Sequence, residues 1–228
     1  MKNKALVLLS GGLDSVTLLA YVLSQKEFDE INALNVFYGQ KNSKEQNSAK
    51  KICDYYNVPI EFMDLSKIFE MSSSALISKN NADVSKISCY ENTNNCAEAK
   101  TYVPFRNGVF LSVATTLAYS KNISTVFYAI IHGSNDIQGS AYPDCSKKFI
   151  KSQTDAIFYG TGNNINLIMP FKNIEKSEIV KLGMELNIPY ELTWSCYTDD
   201  QRPCGKCHAC IEREKAFSAN NLIDPLLK

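Results

Sequence analysis

Apolar positions along the chain alternate between short unbroken runs and longer stretches at helical spacing. The first run, "KALVLL" (4–9), is continuous and is followed by a glycine pair, the pattern of a strand buried on both faces. From Leu13 to Gln25 the apolar residues recur at helical spacing, which predicts a helix. "INALNVFY" (31–38) reads as a second strand, "NSKEQNSAKKICDYYNV" (42–58) as a helix with a polar outer face, and "IEFMDL" (60–65) as a third strand. Residues 66–100 are rich in Ser and Asn and keep no firm period, so a long, partly mobile excursion is expected there, suited to a lid or to a homodimer contact. Order returns with a helix over 106–122, a strand over 124–131, a helix over 146–159, a short strand over 165–170, a helix over 174–187 and a last helix near the end. No internal repeat interrupts this succession.

Strands alternating with helices predict an α/β fold with a doubly wound parallel sheet. Such sheets bind ligands outside the carboxyl ends of their strands. The loops at 10–15, 38–42 and 132–145 each follow a predicted strand and should line one crevice. The 228 residues suffice for one sizeable core and a small appended module, here an α/β domain over 1–190 and a C-terminal segment over 191–228 packed on it.

Charge narrows the choice of partners. With 24 basic and 24 acidic residues the chain has no net field to draw in nucleic acid or an anionic membrane. No apolar run is long enough to span a bilayer, and "MKNKALVLL" breaks at Gly11 and Gly12 before Asp14, unlike a signal peptide. A cytoplasmic protein without nucleic-acid partners is expected.

The turn "SGGLDS" (10–15) is the first candidate for chemistry. Glycines between strand and helix let the backbone approach a ligand, and the helix N-terminus offers free N–H groups to an anion. Ser10 and Ser15 add hydroxyls. The lysine of a Walker loop is missing, and Asp14 would tolerate phosphate only through a cation, for which Mg²⁺ is the natural candidate. An ordinary glycine-rich turn, with Ser and Asp as helix caps, would use the same residues. As a unit, "SGGLDS" after a buried strand resembles the pyrophosphate loop of the adenine nucleotide α-hydrolase-like ATP pyrophosphatases. That resemblance implies cleavage of ATP between its α and β phosphates.

The second candidate is "SCYTDDQRPCGKCHAC" (195–210), which supplies Cys196, Cys204, Cys207 and Cys210. Four thiolates fill a tetrahedral Zn²⁺ shell and leave no open position, so the expected role is structural; a redox dithiol or an iron–sulfur cluster would use the same residues. His208 stands inside the cluster and is expected not to ligate. Cys53, Cys89, Cys96 and Cys145 are scattered and read as small buried or surface residues.

Further segments narrow the resemblance. "LLSGGLDSVT", "FYGQ" (37–40), "VPFRNGVFLSVA" (103–114), "YPDC" (142–145), "TWSCY" (193–197) and "PCGKCHACIEREKAF" (203–217), in this order, resemble the 7-cyano-7-deazaguanine synthase family. The resemblance implies conversion of 7-carboxy-7-deazaguanine, ATP and free ammonia to the nitrile by way of an acyl-adenylate and an amide, an ATP-dependent C–N ligation. It also implies site residues. Leu8, Leu9, Ser10, Gly11, Gly12, Leu13, Asp14, Ser15 and Val16, with Tyr38, Gly39 and Gln40, should hold the nucleotide, Asp14 and Arg106 should act in catalysis, and Arg106, Asn107, Tyr142 and Asp144 should bind the deazaguanine. Where the family pattern has Arg-His after "YGQ", this chain has Lys41 and Asn42; Gln138 replaces an acid, Ala141 a glycine, Ser146 an arginine and His208 an aspartate. These changes gather round the expected substrate loop and keep a related reading open, an adenylating enzyme that passes such an acid to another acceptor. A tRNA sulfurtransferase would need a nucleophilic cysteine and an RNA-binding surface, and a zinc-ribbon adaptor would not need Asp14 or the paired serines.

Overall fold

The computed structural model describes residues 2–80, 83–84, 100–131, 142–198 and 201–227. Its sheet has five parallel strands in the order β3-β2-β1-β4-β5: β1 Lys4–Leu8, β2 Glu30–Phe37, β3 Ile60–Asp64, β4 Thr125–Phe127 and β5 Asn166–Ile168. The helices are α1 Leu13–Gln25, α2 Lys44–Tyr56, a single turn α3 Ser66–Phe69, α4 Arg106–Ser120, α5 Lys147–Gly160, α6 Lys176–Glu185 and α7 His208–Ser218.

β1 divides the core as a doubly buried strand must. Ala5, Val7 and Leu9 join the cluster formed with α1, α2, α6 and α7, and Leu6 and Leu8 join the cluster on the other face with α4 and α5. Phe217 and Ala216 of α7 lie in the same cluster as Val16 of α1, so the C-terminal segment closes the main core. Several helix ends are set by asparagine where glycine is more usual. Asn57, Asn122, Asn187 and Asn221 all turn the chain through the left-handed region, with φ between 53° and 56°.

Strand order reverses between β1 and β4, and the crevice of a doubly wound sheet opens there. β4 is shorter than its apolar run suggests: the Tyr128 N–H makes a last bond to the Ile168 carbonyl at 3.1 Å, and Tyr128 and Ala129 then line that crevice. The described part of the 66–100 excursion is packed: Phe69, Ala75, Leu76, Ile77 and Val84 form a small core with Tyr38 and Val103, and Gln40 bridges to Ile77. Among the described residues, no helix is long and apolar enough to cross a membrane.

Candidate active site

A cavity of about 290 Å³ opens at the reversal point, between the loop after β1, the loop after β2, the start of α4 and the cysteine-bearing segment. The loop after β1 is built on itself. The Ser10 N–H donates to Ser15 Oγ at 3.2 Å, the two hydroxyl oxygens lie 3.0 Å apart, and Ser15 Oγ donates to the Gly12 carbonyl at 3.1 Å. Gly11 has φ +92°, and a Cβ there would stand 2.3 Å from the Glu45 carbonyl oxygen, so only glycine lets α2 pack against this loop. No side chain caps α1, which leaves its first N–H groups facing the cavity end of the loop. Ser10 Oγ also accepts the Gly12 N–H at 3.2 Å, so the serines brace the turn itself while the start of α1 carries no side-chain cap.

Asp14 is ion-paired. Lys176 Nζ, from the first residue of α6, lies 3.1 Å from Asp14 Oδ2, and Asp14 Oδ1 is buried without a hydrogen-bond partner. The lysine that the loop lacks in sequence thus arrives from a helix more than 160 positions away. Ser10, Gly12, Leu13, Asp14, Ser15, Leu8 and Leu9 line the cavity, whereas Gly11 faces α2 and Val16 is wholly buried in the core.

The opposite wall is aromatic. Tyr38 packs against Phe69 and Phe110 with ring centroids 6.1 and 5.6 Å apart, and its N–H donates to Gln40 Oε1 at 2.8 Å. Gly39 sits in the left-handed region with φ +83° and does not line the cavity, whereas Gln40 does. The Arg106 guanidinium lies 5.1 Å over the Tyr38 ring and 5.9 Å from Phe110, and donates to the Tyr38 hydroxyl at 3.2 Å. Its Nε is buried without an acceptor. Tyr142 reaches the cavity with its hydroxyl 2.7 Å from Thr101 Oγ1.

Asn107 and Asp144 stand apart from the cavity lining. Asp144 accepts the Asn107 N–H at 2.9 Å and so caps α4, while Asn107 Nδ2 donates to the Asp144 carbonyl and its Oδ1 accepts from the Tyr128 hydroxyl at 2.8 Å. The pair aligns Arg106 and Tyr128. Burial pushes the Asp144 carboxyl up, against the pull of the Asn107 N–H and the Arg106 charge.

Cys196, Cys204, Cys207 and Cys210 bring their sulfurs within 4.8 Å of one another. Four thiolates about 2.3 Å from a tetrahedral metal lie roughly 3.8 Å apart, so the donor set fits one ion. Backbone N–H groups of Thr198 and Cys204 point at Cys196 Sγ, and those of Lys206 and Cys207 at Cys204 Sγ, the usual support for ligating thiolates. Cys207 and Cys210 beside it hold the Cys196 thiol well below the usual thiol range. His208 is outside this group, with Nε2 3.9 Å from Glu212. The segment touches the loop after β1 directly: the Trp194 N–H donates to the Gly11 carbonyl at 3.0 Å.

With this geometry in place, a sequence profile described as "Queuosine biosynthesis protein QueC" matches residues 4–221. The chain belongs to the QueC family. Proteins named 7-cyano-7-deazaguanine synthase from Picrophilus torridus and Thermoplasma volcanium are each 40% identical to it. The alignments span 94% and 99% of this chain and 87% and 91% of theirs. A synthase of the same name from Campylobacter jejuni is 39% identical over 99% of this chain and 98% of its own. Two solved structures share the fold: the U34-tRNA thiolase NcsA from Methanococcus maripaludis with its [4Fe-4S] cluster, and a 4-thiouridine synthetase–RNA complex with bound ATP. The first has TM-score 0.51 at 15% identity, covering 96% of this chain and 66% of that one. The second has TM-score 0.54 at 17% identity, covering 95% and 54%.

Two of the six positions at which the resemblance implies a departure have visible work in the fold. Asn42 is buried, donates to the Cys196 carbonyl at 2.6 Å and accepts the Lys44 N–H at 2.8 Å, tying the loop after β2 to the cysteine segment. Ser146 caps α5 by accepting the Phe149 N–H at 3.2 Å. Lys41 lines the cavity; Gln138, Ala141 and the rest of the 132–141 loop lie outside the described residues, as do Cys89 and Cys96. Sequence reasoning missed Lys176, Glu45, Asn35, Tyr128 and Ser195, all of which line the cavity. Lys176 and Glu45 look like ordinary charges on amphipathic helices. Asn35, a buried amide inside an apolar strand run, was the one visible signal.

Proposed function

We propose that this chain makes 7-cyano-7-deazaguanine from 7-carboxy-7-deazaguanine, ammonia and two molecules of ATP. The observation that carries the reading is the layout of the cavity in a QueC-family chain. One end holds an uncapped helix N-terminus with paired serines, and the other an aromatic wall bearing a buried arginine. Ser10, Ser15 and the α1 N–H groups would receive the phosphates. Asp14, with its unpartnered Oδ1, would hold Mg²⁺, which supplies charge neutralisation on the pyrophosphate. Lys176 would then turn from Asp14 to the departing phosphate oxygens. Asn35 Nδ2 is fixed on the Leu9 carbonyl at 2.8 Å, leaving its unpartnered Oδ1 as a ready acceptor for a donor of the nucleotide.

Arg106 would pair with the substrate carboxylate and then with the α-phosphate as the acyl-adenylate forms. Tyr142 would stack on the deazaguanine. Asp144 would serve the site through α4 and Arg106, since its carboxylate is already engaged. The four cysteines would hold one structural Zn²⁺. Residues 191–228 are on this reading a module that buttresses the phosphate loop.

Mass spectrometry of a reaction with Mg-ATP, ammonium and the acid tests the proposal. The nitrile is expected, with α-labelled ATP recovered as AMP. Arrest at the amide or a conjugate would favour transfer to another acceptor, and label in ADP would exclude α–β cleavage.

A further inference from the structure

The chemistry above has a proton problem. Ammonia is mostly ammonium at neutral pH and must lose a proton before its nitrogen pair can attack. In the second half, the amide nitrogen sheds one proton once its oxygen is adenylated, and the last one as the C–O bond to AMP breaks. A base inside the cavity is required, and histidine does not supply it among the described lining residues. Among the described residues, two carboxylates line the cavity, Asp14 and Glu45. Asp14 is held by Lys176 and faces the phosphates.

Glu45 lies in the first turn of α2. Its backbone carbonyl abuts Gly11 of the phosphate loop, and its side chain is hydrogen-bonded to Gln40 and faces the Arg106 guanidinium. Its carboxyl thus lines the cavity beside Gln40 and Arg106, and on the synthase reading would stand near the bond to the α-phosphate. Among the described residues it forms no salt bridge.

We infer that Glu45 is the general base that takes the proton from ammonium and, later, from the adenylated imidate. The inference rests on the synthase reading. In the first step Glu45 takes one proton from ammonium, the freed nitrogen pair forms the C–N bond, the C–O bond to AMP breaks with its pair on the phosphate, and that phosphate oxygen takes the nitrogen's surplus proton. In the second, the departing pyrophosphate takes the first N–H proton as the amide oxygen is adenylated, then Glu45 takes the last N–H proton, the N–H pair becomes the third C–N bond, and AMP leaves with the C–O pair. Between steps the carboxylic acid returns its proton to solvent. The surroundings suit a base. Burial pushes the Glu45 carboxyl up to about 7, against the pull of Arg106 and the Gln40 hydrogen bond and with a small push from the Cys196 thiol. A base poised near the working pH is the efficient one.

The test separates the half-reactions in Glu45→Gln, which keeps the shape and the Gln40 contact. Adenylation consumes a carboxylate and needs no base, so acid-dependent exchange of pyrophosphate into ATP should persist within about threefold. Amide formation from ammonium should fall by about 10²–10⁴-fold. Hydroxylamine, already neutral at that pH, should rescue acyl transfer, and Glu45→Asp should restore part of the ammonium-dependent rate. Loss of exchange together with amide formation in both variants would overturn the inference in favour of a loop-bracing role, and an unimpaired Glu45→Gln would overturn it outright. If the wild-type protein shows no acid-dependent exchange, it is the synthase reading that fails.

Discussion

Arg106 shows how a single side chain is prepared for a ligand. Stacked on Tyr38 and Phe110, and with Nε buried without an acceptor, the guanidinium is held flat with part of its fork unused. Lysine can neither stack in this way nor offer two parallel donors. Arg106→Lys should therefore lower acid-dependent adenylation by about 10²-fold while leaving the melting temperature nearly unchanged. Glu45 carries a pH signature in stability as well. Its folded pKa, about 7, lies above its usual 4.5, so protonation favours the folded state and stability declines as pH rises between those values. Melting of Glu45→Gln against wild type should show a difference that shifts in the variant's favour from pH 4.5 to 7 and levels off above; a pH-independent difference would contradict the shift. Placement was legible where a motif concentrates polar residues: Ser10, Asp14 and Arg106 do line the cavity, and the four cysteines do come together. It was not legible at Asp144, because "YPDC" shows a carboxylate and cannot show that the Asn107 N–H already occupies it.

At the scale of elements, periodicity found every strand and every long helix among the described residues, because each packs apolar side chains against the core and its apolar spacing follows. Where burial depends on distant partners the pattern was silent: α3 and the packed segment around Leu76 and Ile77 acquire their apolar neighbours from Tyr38 and Val103, far away in sequence. The C-terminal elements are locked by a buried ion pair that no local pattern announces. Arg213 of α7 donates to Asp224 at 2.6 and 2.8 Å, and also to Thr193 Oγ1 and the Tyr190 carbonyl. Asp224→Ala leaves a buried guanidinium without its counter-charge and should cost about 3–5 kcal/mol in denaturant unfolding. The cysteine segment makes a separate prediction. Cys207→Ser should lose bound metal and much of its soluble yield, because the segment's apolar residues are then exposed while the sheet persists. Elemental analysis of the wild type should give one zinc per chain; iron instead would mark a cluster.

For the whole molecule, the doubly wound fold predicts a crevice at the strand ends, and the loops after β1 and β2 do line one cavity. The other walls come from α4, α6 and the cysteine segment, brought together only by the winding of helices on both sheet faces. A charge such as Lys176 gains its meaning only when α6 packs against α1. That same closeness joins two regions which sequence treats as separate. The Trp194 N–H holds the Gly11 carbonyl, while its indole and Asn42 both hold the Cys196 carbonyl, so the cysteine cluster and the loop after β1 share one short chain of hydrogen bonds. On the proposed function, damage at the thiols would therefore reach the loop that receives ATP. Under titration with peroxide or a chelator, pyrophosphate release should fall in step with metal loss while the helical circular-dichroism signal is still intact. Surviving molecules should keep their KM for ATP, so a partly oxidised population would lose active members rather than affinity, and a cell under oxidative stress would stop drawing on its ATP here before the protein itself was lost.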